Sequence, residues 1–170
     1  MVTYPRHLPG FSYLGRHRYS LTFCTFERLE LFRDPTTVDL VWKQFLRSGR
    51  EHATAVLAYC FMPDHVHLVA EGREEYSDLK RFVARAKQYA AHQYSCANQG
   101  RRLWQRYGFE HVIRDDESTQ RTVRYVLENP VRKGLVAHPR EYPFIGSGVY
   151  TLDELLEFAY ASSEGEYEET

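Results

Sequence analysis

The segment CFMPDHVHLVAEG, Cys60 to Gly72, sets two histidines, His65 and His67, on either side of a single valine in a run otherwise apolar enough for a buried strand. On a strand alternate side chains share a face, so both imidazoles point one way while Val66, Leu68 and Ala70 point the other. Two imidazoles on one face can begin a divalent-metal site, or they can be hydrogen-bonded or solvated histidines with no ligand. The chain holds eight histidines in 170 residues. That composition yields roughly 0.4 such pairs by chance, so the pair alone does not decide.

A metal site needs a further ligand and a reactive group. In TQRTVRYVLENPVRKGL, Tyr125 and Asn129 stand four residues apart and share one face of a helix. A phenol able to attack is thereby set beside an amide oxygen able to ligate. The alternative is that Tyr125 packs, as most of the 13 tyrosines must. His111, just ahead of this helix, either lines the site or is a hydrogen-bonded histidine.

The elements that must carry these residues follow from pattern. Arg18 to Phe26 is aromatic and hydroxyl-rich and reads as a strand. Pro35 opens a helix with Val38, Val41, Trp42 and Phe45 at helical spacing and Gly49 as its stop. Ala53 to Met62 and His65 to Gly72 are strands joined by Pro63-Asp64, an antiparallel hairpin. Ser77 to about Cys96 is a long helix with Leu79, Phe82, Val83 and Ala86 inward. Phe109 to Arg114 is a short strand. Asp115 or Asp116 caps the next helix, which Pro130 ends near Asn129. Turns follow, then a short amphipathic piece from Leu152 to Phe158. This order predicts an α+β fold, a ferredoxin-like antiparallel sheet with helices packed on one face and the other free for a ligand.

Length suits one domain with its own core, taken as residues 1–150, followed by an acidic tail, 151–170. The tail has seven acids and no base, leaving 22 bases against 16 acids in the remainder, a net of +6. Such a basic body fits a polyanion binder. Lys80, Arg81, Arg85 and Lys87 on the long helix, with Arg101, Arg102 and Arg106 after it and Arg132 near the tyrosine, are the candidate phosphate contacts. Trp104, with Tyr89, Tyr94 and Tyr107, lies among them and would suit stacking of unpaired bases, or serves the core. Arg114 and Arg124 add to the charge, Arg124 facing elsewhere on its helix. Three cysteines at wide spacing fit neither a disulfide framework nor a zinc pair. No signal-peptide pattern and no apolar run near ~18 residues are present, so a cytoplasmic protein without membrane contact is expected.

The strings CFMPDHVHLV, LWQRYGFEHVIR and YVLENPVRKGLV, in this order, resemble the HUH single-strand transposases with one catalytic tyrosine, and within them the REP-associated tyrosine transposases. The resemblance spans roughly Tyr19 to Tyr150. It implies that His65 and His67 are metal ligands, that Asn129 completes the site where other branches have glutamine, and that Tyr125 is the nucleophile. It further implies magnesium or manganese as cofactor and single-stranded DNA cut at the foot of REP-like hairpins through a 5′-phosphotyrosine. The acidic tail is no part of the family motifs, and its screening of the DNA groove is an expectation only. With one tyrosine per site, cutting two ends calls for two rounds or a homodimer. Two other classes stay open: a single-stranded nucleic-acid binder without chemistry, and a metal hydrolase using activated water.

Overall fold

The computed structural model describes residues 12–113 and 116–161; the side chains at 107–112, 116 and 117 lie outside the described part. Expectations for Arg114, Asp115 and the acids from Glu164 onward, and for the side chains of Tyr107 and His111, therefore fall outside it. Among the described residues the elements are β1 (Arg18–Thr25), α1 (Pro35–Glu51), β2 (Thr54–Met62), β3 (His65–Gly72), α2 (Leu79–Ala97), β4 (Trp104–Ile113), α3 (Asp116–Arg132), β5 (Ile145–Gly146) and α4 (Leu152–Tyr160), with three short 3-10 turns. No helix among them is long and apolar enough to cross a membrane.

The strands form one antiparallel sheet in the order β4-β1-β3-β2-β5, so the strand carrying both histidines is its centre. The expected antiparallel α+β architecture is present, with α1 and α2 against one face. Tyr19, Leu21 and Phe23 of β1 and Val66, Leu68 and Ala70 of β3 pack there on Val41 and Phe45 of α1 and on Phe82, Ala86 and Ala90 of α2. The second face is open over β1 but not over β2. There Val123, Val126 and Leu127 of α3 and Leu155 and Ala159 of α4 bury Ala58, Cys60 and Met62 of β2, Val69 of β3 and Ile145 of β5.

Burial along the strands shows why. β1 alternates strictly between buried and half-buried residues, the mark of a strand packed on one side. β2, TAVLAYCFM, is buried almost throughout and needs cover on both sides. A bulge lets it serve two cores. Val56 pairs with Ala70 and Ala58 with Val69, leaving Leu57 as the extra residue. Val56 consequently faces the first core while Leu57 and Ala58 both face the second.

Four boundaries differ from expectation for local reasons. Gly49 does not stop α1, which runs on to Glu51. Its role is contact, since a Cβ there would stand 2.5 Å from the Thr54 carbonyl oxygen. The helix begins where Asp34 accepts from the Thr36 and Thr37 amides, with Pro35 next. Pro130 lies inside α3, and the helix continues to Arg132. β4 starts at Trp104 rather than Phe109, because its first residues pair with the end of β1, Thr25 against Trp104. β5 is a two-residue strand on β2 that pattern alone leaves as turn.

Candidate active site

His65 and His67 share the face of β3 that α3 partly covers, opposite the side taken by Val66 and Leu68. Each imidazole is held by its Nδ1 edge. His65 Nδ1–H donates to Asp64 Oδ1 at 2.6 Å, and Asp64 is anchored in turn by Arg28 Nε at 2.8 Å. His67 Nδ1 meets the Thr22 hydroxyl of β1 at 2.8 Å, a contact fixed by the register that sets Thr22 opposite His67. The two Nε2 atoms converge to 3.1 Å with the rings at 89°.

That convergence is informative about protonation. Burial, then the neighbouring His65, Arg132 and Arg28, push the His67 pKa down to about 4, so this imidazole is neutral at pH 7. A neutral imidazole is the ligating form. Because a hydroxyl both donates and accepts, Thr22 suits either tautomer of His67, including the one that turns a bare Nε2 lone pair toward the space shared with His65.

α3 brings the tyrosine to this point. The Tyr125 ring stands edge-on to His67, centroids 6.2 Å apart, and is 53 % exposed, so a substrate can reach its hydroxyl. One turn on, Asn129 is buried, and its side-chain amide nitrogen donates back to the Tyr125 carbonyl at 3.2 Å. This leaves the amide oxygen as its free end. The Tyr125 carbonyl also accepts from Arg132 Nη2 at 2.6 Å, and the Arg132 guanidinium lies 3.8 Å over the Tyr125 ring centre.

Among the described residues no group of three His, Cys, Asp or Glu is placed to hold a metal. The groups here that could hold a cation are the two imidazoles, with the Asn129 amide oxygen, one turn from Tyr125, as a candidate third donor. That neutral nitrogen and oxygen set suits manganese or magnesium, and the convergent Nε2 atoms fit such an ion.

The structure separates the other candidate residues. Lys80, Arg81 and Arg85 are exposed on α2, across the sheet from the histidines. Lys80 Nζ lies 4.4 Å over the Tyr13 ring, Arg81 pairs with Asp78 at 3.5 Å, and Arg85 bonds Gln88 at 3.2 Å. Lys87 is tucked against Phe23 and Trp104, and burial draws its pKa down. Trp104 is a packing residue. Its Nε1 donates to the Lys87 carbonyl at 3.2 Å, and its ring meets Phe23, Phe32 and Phe45. Tyr94 is buried, and the Tyr89 hydroxyl is spent on Glu51. Arg101 and Arg106 are exposed, and Arg102 lies 5.3 Å over Phe26 at the end of the sheet where His65 begins β3. Among the described residues, Arg132 is the basic candidate that touches the tyrosine.

Sequence reasoning missed Thr22, Arg28 and Asp64. Alternation along β1 places Thr22 on the open face, but only the β1–β3 register shows it opposite His67. Asp64 reads as turn chemistry because it is one, and its carboxylate does a second job.

Residues 14–129 match the family described as "Transposase IS200 like", a span that holds His65, His67, Tyr125 and Asn129. An Escherichia coli K12 REP-associated tyrosine transposase is 24% identical over 127 residues, covering 69% of this chain and 73% of the relative. A Haemophilus influenzae protein provisionally assigned as a REP-associated tyrosine transposase is 32% identical over 98 residues, 52% of this chain and 56% of the relative. The chain thus spans little more than half the length of that relative. A solved REP-associated tyrosine transposase bound to a REP hairpin superposes with a TM-score of 0.69 at 23% identity, over 85% of this chain and 82% of that one. At such identity the likeness establishes a shared fold. The family match covers well over half of the residues, and the chain belongs to the IS200-like transposase family.

Proposed function

We propose that this protein cleaves and rejoins single-stranded DNA beside REP-like hairpins, with Tyr125 as nucleophile and a divalent cation, magnesium or manganese, held by His65, His67 and Asn129. The observation that carries this reading is the meeting of the two Nε2 atoms, 3.1 Å apart, beside the exposed ring of Tyr125. Family membership supports it, and the hairpin in the solved relative supports the choice of substrate.

When bound, the cation would supply Lewis-acid stabilisation of charge on the scissile phosphate. The remaining work belongs to the chain. Tyr125 Oη attacks phosphorus, the new bond to the 5′-phosphate forms, and the bond to the 3′-oxygen breaks. The phenol proton is lost to solvent, and the departing 3′-oxygen takes one up. The phosphodiester is conserved as phosphotyrosine, so a 3′-hydroxyl can reverse the step without a nucleotide cofactor. Arg132, stacked on the ring, stabilises negative charge growing on the phenol oxygen and holds the ring in place. Asp64 and Thr22 orient the two imidazoles.

The experiment is incubation with labelled hairpin oligonucleotides from DNA flanking the gene, with manganese or magnesium, followed by a denaturing gel. A protein-linked band that disappears in Tyr125→Phe and with chelator is expected. Cleavage that persists in Tyr125→Phe would make water the nucleophile, and tight binding without cleavage would make the protein a binder.

A further inference from the structure

We propose that Tyr160, in the last turn of α4, is a positioning residue for Tyr125, acting through Glu128 and Arg132. The chain of contacts is continuous. The Tyr160 hydroxyl donates to Glu128 Oε1 at 3.0 Å, Glu128 Oε2 stands 3.5 Å from Arg132 Nη1, and Arg132 both bonds the Tyr125 carbonyl and covers its ring. The inference rests on Tyr125 being the nucleophile only for its effect on rate; the placement of the ring is a separate matter.

α4 is fastened for this role. Gln120 Nε2 donates to the Phe158 carbonyl and Arg124 Nε to the Ala159 carbonyl, each at 2.8 Å. These carbonyls belong to the last turn of α4, where backbone acceptors lack helical partners. Gln120, Arg124 and Glu128 are spaced by four, so one face of α3 meets three successive residues of α4. Arg124 also lies 4.9 Å over the Tyr160 ring. Burial, then the hydrogen bond to Glu128, raises the Tyr160 pKa, so the hydroxyl keeps the proton it donates.

A partly exposed ion pair such as Glu128–Arg132 fixes little by itself, because solvent screens it. With Tyr160 on one carboxylate oxygen and Arg132 near the other, the plane of the carboxylate is defined from both sides. Arg132 then has anchors at both ends of its guanidinium. Tyr125 needs this, because among the described residues its half-exposed ring is met by His67 and by Arg132.

The test places 3-fluorotyrosine at position 125 of the full chain and records its fluorine resonance in the parent, Tyr160→Phe and Glu128→Gln. Tyr160→Phe keeps the ring and removes the hydroxyl, so melting is expected to stay within about 2 °C. The resonance is expected to move or broaden in both variants, with no further change in the double variant. In single-turnover adduct formation at saturating hairpin DNA, Tyr160→Phe is expected to slow the chemical step by about three- to tenfold and leave DNA affinity unchanged. A fluorine resonance unmoved by Tyr160→Phe overturns the inference. A full-rate Tyr160→Phe beside an active parent does so as well. A parent that forms no adduct overturns the proposed function instead, and the resonance still decides the positioning.

Discussion

Arg132 clasps Tyr125 twice, with its guanidinium 3.8 Å over the ring centre and its Nη2 2.6 Å from the carbonyl of the same residue. A planar fork can do both at once, and a lysine ammonium cannot. Arg132→Lys is therefore expected to retain DNA affinity within a few-fold and to lose about 10- to 100-fold in single-turnover cleavage. Equal losses in binding and in rate would show that Arg132 serves the DNA backbone alone.

Asp64 sits behind His65 as an orienting carboxylate, itself tied to Arg28. Groups in that position commonly govern metal affinity by about 10- to 100-fold. Asp64→Asn is expected to weaken manganese binding by that factor, read by titration calorimetry without DNA. Unchanged affinity would mean that the strand alone fixes the ring.

Gly49 allows α1 to approach β2 at backbone contact. Gly49→Ala gains about 1 kcal/mol of helix propensity, yet its Cβ would meet the Thr54 carbonyl oxygen at 2.5 Å. Overpacking of this kind costs about 1–3 kcal/mol, so net destabilisation in urea unfolding is expected. A more stable variant would show that the helix can shift away from the strand.

Asp34 caps α1, and its loss in Asp34→Ala is expected to cost about 1 kcal/mol. The Thr37 hydroxyl, then the Thr36 amide, hold its carboxyl below the ordinary value of 3.8. A depressed folded-state pKa gives stability that is full above the unfolded pKa and is lost as pH falls through the folded one. The gap between parent and variant should hold from pH 7 down to about 5 and close below about 4. A gap that persists to the lowest measurable pH would separate it from the cap.

Much of this architecture is legible in the sequence because period and punctuation agree over β1, the β2–β3 hairpin and α2. The legible part of the candidate site is the part carried by single elements: His65 and His67 by alternation on one strand, Tyr125 and Asn129 by spacing on one helix. What escapes depends on neighbours. Thr22 matters only through the β1–β3 register, Glu128 and Tyr160 only through the packing of α4 on α3, and neither leaves a periodic signal. Pro130 and Gly49 look like stops because local chemistry disfavours helix there, and tertiary contacts override it. Lys80, Arg81 and Arg85 look like part of the site because they are basic and close in sequence, but α2 lies beyond the sheet.

The placement of β3 at the centre of the sheet divides the site by mobility. β3 is paired with β1 on one side and with β2 on the other, so its amides should exchange with solvent deuterium at the pace of global unfolding, as core strands do. Tyr125 rides on a helix that rests on only part of one sheet face, and the amides around it should exchange through smaller openings. The imidazole half of the candidate site is then the more rigid one, and the half that carries Tyr125 is expected to yield first.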